Sequence, residues 1–293
     1  MSTSDSYGVR IHEDPDLFRE AVSYTAARTA FAPRLIEQDY FCTQLLKHLS
    51  AGDAELVFKG GTCLAKVHVD FYRMSEDLDF IIPMPVDASR GQRSNRVAGL
   101  KKAVGAFSGR RLLFQVDQPL TGASDSRQYA GVIGYTSPLT GLRHSIKVEV
   151  GLCEPVLMPK FNGAARTVLL DPVSGRPLVL PVVVQCLSIL ESFAEKFRAA
   201  LSRRDAAIRD FFDIDYAVHR RGLVSVDSEL LDLIRRKLNV PGNEPIDISP
   251  SRIARLSRQV ASHLKPVLRD ADLTKFDLER ALRTVTEVGL MLG

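Results

Sequence analysis

Apolar residues recur at three- and four-residue spacing through "PDLFREAVSYTAARTAF" and "APRLIEQDYFCTQLLKHLS", so residues 14–49 read as helical, with "AGD" closing the unit. The period then shortens. "AELVFKG" is a short apolar strand, Gly60-Gly61 a turn, and "TCLAKVHVDF" a helix whose expected N-cap is Thr62. "SEDLDFIIP" carries carboxylates at one end and an apolar tail at the other, a strand that is polar at its start, buried at its finish and ended by Pro83. The polar stretch "MPVDASRGQRSNR" leads into an amphipathic helix around residues 94–107. Three strands follow, "RLLFQVDQ", "QYAGVIGYT" and "RHSIKVEVGL", separated by the turn formers "TGASDS" and "SPLTG". "ARTVLLDPVSGRPLVLPVVV" reads as further β structure with "DPVSG" as its hairpin loop. From Gln185 the helical period returns, over 185–202, 205–221, 226–238, 249–262 and 273–291.

This order predicts a strand-bearing lobe, residues 1–182, and an all-helical lobe, residues 183–293, which is an α+β architecture. A chain of 293 residues is long enough for two such cores. With 45% hydrophobic and 25% charged residues it is composed like a soluble globular protein, and no apolar run approaches the ~20 residues of a membrane span. The start, "MSTSDSYGVRIHEDPD", has neither a basic nor an apolar leader region, so the expected location is the cytoplasm, with no membrane partner. Cys42, Cys63, Cys153 and Cys186 lack C-x-x-C spacing and sit among apolar residues, as buried free thiols do. The net charge of +4 is small, but Lys196 to Arg269 holds fifteen Lys/Arg against nine Asp/Glu. That surplus suits either a polyanionic partner or a solvated helix face.

The chemistry gathers around Gly60. A strand that enters a Gly-Gly turn and leaves as a helix exposes backbone N–H groups where glycine lets a phosphate approach, although a ligand-free tight turn uses the same residues. The pattern G-x-x-x-x-G-K-[ST] is absent. Asp77 and Asp79, one residue apart on a strand, project from one face about 6.5 to 7 Å apart at Cα. Two hard oxygen ligands at that reach suit Mg²⁺, and solvated strand residues are the plainer alternative. On "SIKVEVGL", Ile146, Val148 and Val150 face one way and Ser145, Lys147, Glu149 and Gly151 the other. If that strand lies next to the D-x-D strand, Glu149 joins the aspartates, and three converging acids call for cations between them. Lys66, one turn past Thr62, either reaches a phosphate or snorkels to solvent.

Together, "KGGTCLAKV" and "SEDLDF" resemble the nucleotidyltransferases of the polymerase-beta superfamily, and more closely the AbiEii/AbiGii toxin family with its MenT-like members. Two further segments match that pattern: "LIEQDYFCTQLL", with Glu37, Asp39 and Tyr40, and "EKFRAALSRRDAAIRDFFDIDY", with Lys196, Arg209, Asp210 and Asp213. The resemblance implies a polymerase-beta-like lobe with a mixed sheet, followed by a helical lobe that contributes Lys196 and Asp210. It implies that Lys59, Gly60, Gly61, Thr62, Lys66 and Ser75 hold a nucleoside triphosphate (ATP, CTP, GTP or UTP). By the same resemblance Asp77 and Asp79, with Glu149 beside them, take Mg²⁺ or Mn²⁺, and Asp77, Asp79, Lys196 and Asp210 are catalytic. The implied reaction moves a nucleotide monophosphate to the 3′ end of tRNA and arrests translation, under the control of a cognate antitoxin.

Ser75, in the position of the family's S-x-D serine, is a candidate for inactivating phosphorylation, since a dianion two residues from Asp77 repels triphosphate; capping the strand start is its duller role. Asp213 lies three residues past Asp210, and the choice between them stays open, as does a buried Arg209–Asp210 ion pair. Arg252, Arg255 and Arg258 recur every three residues and, with Arg203 and Arg204, offer a basic face for tRNA. Two rival readings remain: an enzyme of this fold acting on a protein hydroxyl or an aminoglycoside, and a catalytically dead nucleic-acid-binding protein. Clustered acids repel phosphates and weigh against the second.

Overall fold

The first helix starts where Asp14 caps it: its carboxylate accepts from the N–H groups of Asp16 and Leu17, and Pro15 takes the first helical position. This helix, α1, spans Pro15–Thr29 and stops at Ala30, whose φ of 59° is left-handed. Pro33 opens α2, Pro33–Ser50. The faces the two helices bury are aromatic, with Tyr40 5.1 Å from Phe18 and Phe41 stacked at 4.0 Å on Tyr135. The computed structural model describes residues 10–52, 55–108 and 113–293. The predicted leader-free start up to residue 9, Asp53 of "AGD" and the first two residues of "RLLFQVDQ" lie outside the described residues.

After α2 come β1, Val57–Lys59, the short helical turn α3, Gly60–Cys63, and β2, Leu78–Ile81. Helix α4, Arg90–Gly105, begins four residues before the expected 94 because Ser89 and Gln92 cap each other's backbone N–H groups in a capping box. Strands β3, Gln115–Ala123, β4, Gln128–Thr136, and β5, Arg143–Gly151, form a meander. β3 runs on through half of the expected turn, and residues 124–127 make the bend, with Ser124, Asp125 and Ser126 all left-handed. With β6, Phe161–Ala165, and β7, Val182–Cys186, the sheet has seven strands in the order β3-β4-β5-β2-β1-β7-β6. It is mixed: β2 and β5 run parallel, while β1–β2, β3–β4 and β4–β5 are antiparallel. "DPVSG" is a turn, closed by Gly175 N–H donating to Asp171 O at 2.8 Å, but a single bridge, Leu170 to Pro177, flanks it. Pro172, Pro177 and Pro181 have no N–H for a ladder, which keeps the expected hairpin from forming.

The helices that follow are α5, Ile189–Ser202, α6, Ile208–Arg221, α7, Ser228–Leu238, α8, Pro250–Gln259, α9, Asp270–Leu273, and α10, Leu278–Leu292. All but the short α9 answer to predicted spans. The architecture is α+β, and among the described residues no helix is long and apolar enough to cross a membrane. The chain divides into two compact units. One comprises residues up to Ile82, Ala88–Leu152 and Asn162–Gln185, and the other Pro83–Asp87, Cys153–Phe161 and Cys186–Gly293. Segment 153–161 joins the helices because buried Glu191 on α5 accepts from the N–H groups of Leu157 (2.9 Å) and Met158 (3.0 Å). The same carboxylate pairs with buried Lys237 of α7 at 2.9 Å.

The strand-bearing unit is organised around "IEQDY". Glu37, Gln38 and Asp39 are all buried on α2. Gln38 takes the Tyr135 hydroxyl on its Oε1 at 2.7 Å and donates to Ser145 O at 3.1 Å. Asp39 accepts from Lys66 Nζ at 2.5 Å, from Thr167 Oγ1 at 2.6 Å and from Val168 N–H at 2.9 Å. Lys66 further donates to Thr43 Oγ1 at 2.6 Å and to Asp39 O at 2.9 Å, so the pair is hydrogen-bonded all round. Glu37 accepts from Ser137 Oγ at 2.7 Å, and burial pushes its carboxyl above the ordinary value, with the Ser137 bond opposing.

Removing one member of the Lys66–Asp39 pair strands a buried charge, so Asp39→Leu and Lys66→Met should each cost about 3–5 kcal/mol in denaturant unfolding. The paired variant Asp39→Leu with Lys66→Met should cost clearly less than the sum of its parts, and strict additivity would refute the coupling. For Glu37 the raised carboxyl binds its proton more tightly folded than unfolded, so wild-type stability is lost as pH rises above about 4.5. Glu37→Gln keeps the Ser137 bond without that loss, and its Tm should gain on wild type as pH rises from about 4.5 through the raised folded pKa and then level off.

Candidate active site

Two glycines bring the turn and the D-x-D strand into contact. Gly60 has a φ of +77°, and a Cβ built there would collide with the Asp79 carboxylate. At Gly61 a Cβ would run into the guanidinium of buried Arg73, whose Nη1 donates to Met74 O at 3.0 Å. Thr62 is not the helix N-cap; Lys59 holds that position, and Thr62 is buried with its Oγ1 donating to Asp77 O at 2.5 Å. The hydroxyl thus ties the turn to the first aspartate. Lys59 stands opposite Asp79 in the antiparallel β1–β2 register.

Glu149 completes the row. β5 lies beside β2 with Asp79 opposite Glu149, so the two carboxylates rise from one face of the sheet. Burial along β5 alternates as the sequence predicts: Ile146, Val148 and Val150 are buried, while Ser145, Lys147 and Glu149 are not. A cation that the sequence places on this face, and to which no role was given, stands there too. Lys147 Nζ pairs with Glu149 Oε1 at 2.7 Å. The Glu149 hydrogen bond raises the Lys147 pKa against the opposing effect of burial, and the charges of Glu149, Asp77 and Asp79 add to the rise. Its signal in the sequence was the two-residue spacing from Glu149 on an alternating strand. Asp77, Asp79 and Glu149 are all half-buried carboxylates, a hard-oxygen set whose chemistry fits Mg²⁺.

Other expectations are corrected. Lys66 neither reaches a phosphate nor snorkels: it is buried, and Asp39, Thr43 and Arg166 O at 3.3 Å take its ammonium. The cause is local. After Cys63 the helix widens into a π-helical turn, Leu64–His68, which carries Lys66 toward α2. Asp70 and Phe71, both at a left-handed φ of 53°, then reverse the chain toward Arg73. Ser75 is half-buried, next to Glu76, which pairs with Arg34 at 2.6 Å and whose carbonyl accepts from Gln38 Nε2 at 3.3 Å.

In the helical unit α5 and α6 face each other across a turn after Ser202, and Lys196 on α5 lies between two acids of α6. Its Nζ is 2.8 Å from Asp210 Oδ1 and 2.8 Å from Asp213 Oδ2. Asp213 is fully buried; Asp210 Oδ2 has no hydrogen-bond donor among the described residues, and Arg203 Nη1 is 3.9 Å away. The buried ion pair on this helix is therefore made by Lys196. The three-residue arginine series splits. Arg252 is buried, donating to Ala200 O at 2.6 Å and pairing with Asp247 at 3.5 Å, whereas Arg255 and Arg258 are exposed, as are Arg203 and Arg204. Steps of three residues on a helix with 3.6 per turn rotate about 60° each, so the outer two arginines of three lie about 120° apart. Arg252 is thus spent inside the helical unit, not on a tRNA-binding face.

Comparison with curated proteins gives no match. Among solved structures, JHP933 from Helicobacter pylori superposes with a TM-score of 0.48 at 15% identity, over 89% of this chain and 93% of its own. A second H. pylori structure, provisionally described as a nucleotidyltransferase, has a TM-score of 0.48 at 14% identity, over 89% and 96%. The sequence model of the family described as "Nucleotidyl transferase AbiEii toxin, Type IV TA system" matches residues 44–285. That span begins after "IEQDY", takes in the glycine turn, the D-x-D strand, Glu149, Lys196 and Asp210, and extends well past residue 216, where the motif resemblance ends. The chain belongs to the AbiEii nucleotidyl transferase toxin family of type IV toxin–antitoxin systems.

Proposed function

We propose that this nucleotidyltransferase transfers a nucleotide monophosphate from a nucleoside triphosphate to the 3′ end of tRNA in the cytoplasm, blocking aminoacylation and hence translation until a cognate antitoxin intervenes. The observation that carries the transferase chemistry is the Asp79 carboxylate packed on Gly60 with Glu149 in register beside it. A triphosphate next to the turn meets backbone N–H groups that only glycine leaves accessible, and Lys59 next to them. Asp77, Asp79 and Glu149 would hold Mg²⁺ or Mn²⁺, and a divalent ion there supplies charge neutralisation for the transferring phosphoryl group.

The residues of the helical unit have chemistry to match. Lys196, held between Asp210 and Asp213, is a point cation for a triphosphate or its pyrophosphate product. The unbonded oxygen of Asp210 is an acceptor for an incoming hydroxyl proton. The acceptor is argued from charge: exposed Arg203, Arg204, Arg255 and Arg258 give the helical unit cations for a phosphate backbone.

Incubation with each radiolabelled NTP, Mg²⁺ and either total tRNA, cell protein or aminoglycosides should label tRNA, and label found only in protein or aminoglycoside would defeat the acceptor proposed. Asp77→Ala and Asp79→Ala should each reduce labelling by about 10²-fold or more while leaving the Tm near that of wild type. Gly60→Ala forces a left-handed alanine, which costs about 1–2 kcal/mol, and displaces Asp79. It should lower turnover about 10²-fold; labelling at the wild-type rate would dissociate the turn from catalysis.

A further inference from the structure

Lys147 has no part in the reaction outlined above, yet it stands among the acids that reaction uses. It precedes Glu149 by two residues on β5, so both side chains leave the same face, and its Nζ holds Glu149 Oε1 at 2.7 Å. β2 runs parallel to β5 with Leu78 opposite Val148 and Asp79 opposite Glu149, which carries Asp77 alongside Lys147 one step earlier. On the other side β4 places Val132 opposite Lys147 and Ala130 opposite Glu149, so that strand brings no charge to compete for either. The two side chains are 48% and 40% exposed, open enough for the ammonium to exchange its partner.

Three carboxylates gathered on one face repel one another unless a cation sits among them, and Lys147 is a cation placed there by the strand itself. An ammonium ion and a divalent metal ion on one carboxylate repel each other in turn. We propose that Lys147 is a positioning residue of the active site, the resident counter-ion of Glu149, and that metal loading is a cation exchange in which the divalent ion displaces the lysine. This rests on the reading of Asp77, Asp79 and Glu149 as metal ligands. The exchange weakens metal binding in the absence of nucleotide and leaves the released ammonium available to an anionic substrate.

Mn²⁺ titration of the full-length protein without nucleotide, followed by electron paramagnetic resonance, tests this independently of activity. Lys147→Met should bind Mn²⁺ about two- to fivefold more tightly than wild type, the size expected for removing a half-exposed competing charge. Lys147→Arg should bind as wild type does, and Lys147→Met should add nothing in a Glu149→Gln background. Lys147→Gln serves as a second neutral variant, and thermal melting checks that each folds. Unchanged or weaker affinity in both neutral variants, while Asp79→Asn still weakens binding, overturns the exchange and leaves the metal site standing. The same gain in the Glu149→Gln background also overturns it. Should Asp79→Asn bind Mn²⁺ as wild type does, the metal-site reading fails, and the exchange with it.

Discussion

The buried pair of Lys66 and Asp39 is the contact on which the strand-bearing unit turns. Desolvating an ammonium and a carboxylate costs several kcal/mol each, and the cost is offset only where the remaining lone pairs and protons are bonded. Here they are: Thr43, Thr167, Val168 N–H and two backbone carbonyls complete the shell. The result is a fixed distance between α2, the π-helical turn after the glycines and the segment that follows β6. A π turn widens the helix by one residue per hydrogen bond, and this one delivers Lys66 to α2 where the glycine turn is held against β2.

With that anchor in place the site needs little further apparatus. Gly60 and Gly61 have no side chains because Asp79 and Arg73 occupy the space where those side chains would be. Thr62, which looks like a helix cap in the sequence, spends its hydroxyl on the Asp77 carbonyl instead. The buried arginine under the second glycine and the carboxylate on the first put opposite charges on either side of one turn. In the helical unit one lysine is held by two aspartates, so the cation is fixed in place with excess negative charge around it.

Much of this was legible in the chain. Period alone located α1, α2, β4, β5 and the principal helices of the second unit, since each buries one continuous face and such faces show in the pattern. Glycines next to a strand and acids at two-residue spacing marked the turn and the D-x-D strand, because those side chains are constrained by local geometry. Lys66 was misread for the opposite reason: a lysine one turn into a helix looks exposed until something distant offers it a carboxylate, and Asp39 lies 27 residues away. Arg252 was misread in the same way, its regular spacing implying a surface that the twist of the helix does not provide. Lys147 was seen as one of four residues on a polar face, but its importance depends on which strand lies beside it.

The amino-acid sequence by itself determined most of the elements, the α+β class and the identity of the acids and glycines, since propensity, periodicity and spacing act over a few residues. Tertiary structure alone decided that β5 pairs with β2 in the register that joins Glu149 to Asp79, and that Lys66 is sealed inside while Lys147 stands in the acidic row. Strand order and the burial of a charge depend on residues far apart in the chain meeting in space, and no local pattern encodes which of them will meet.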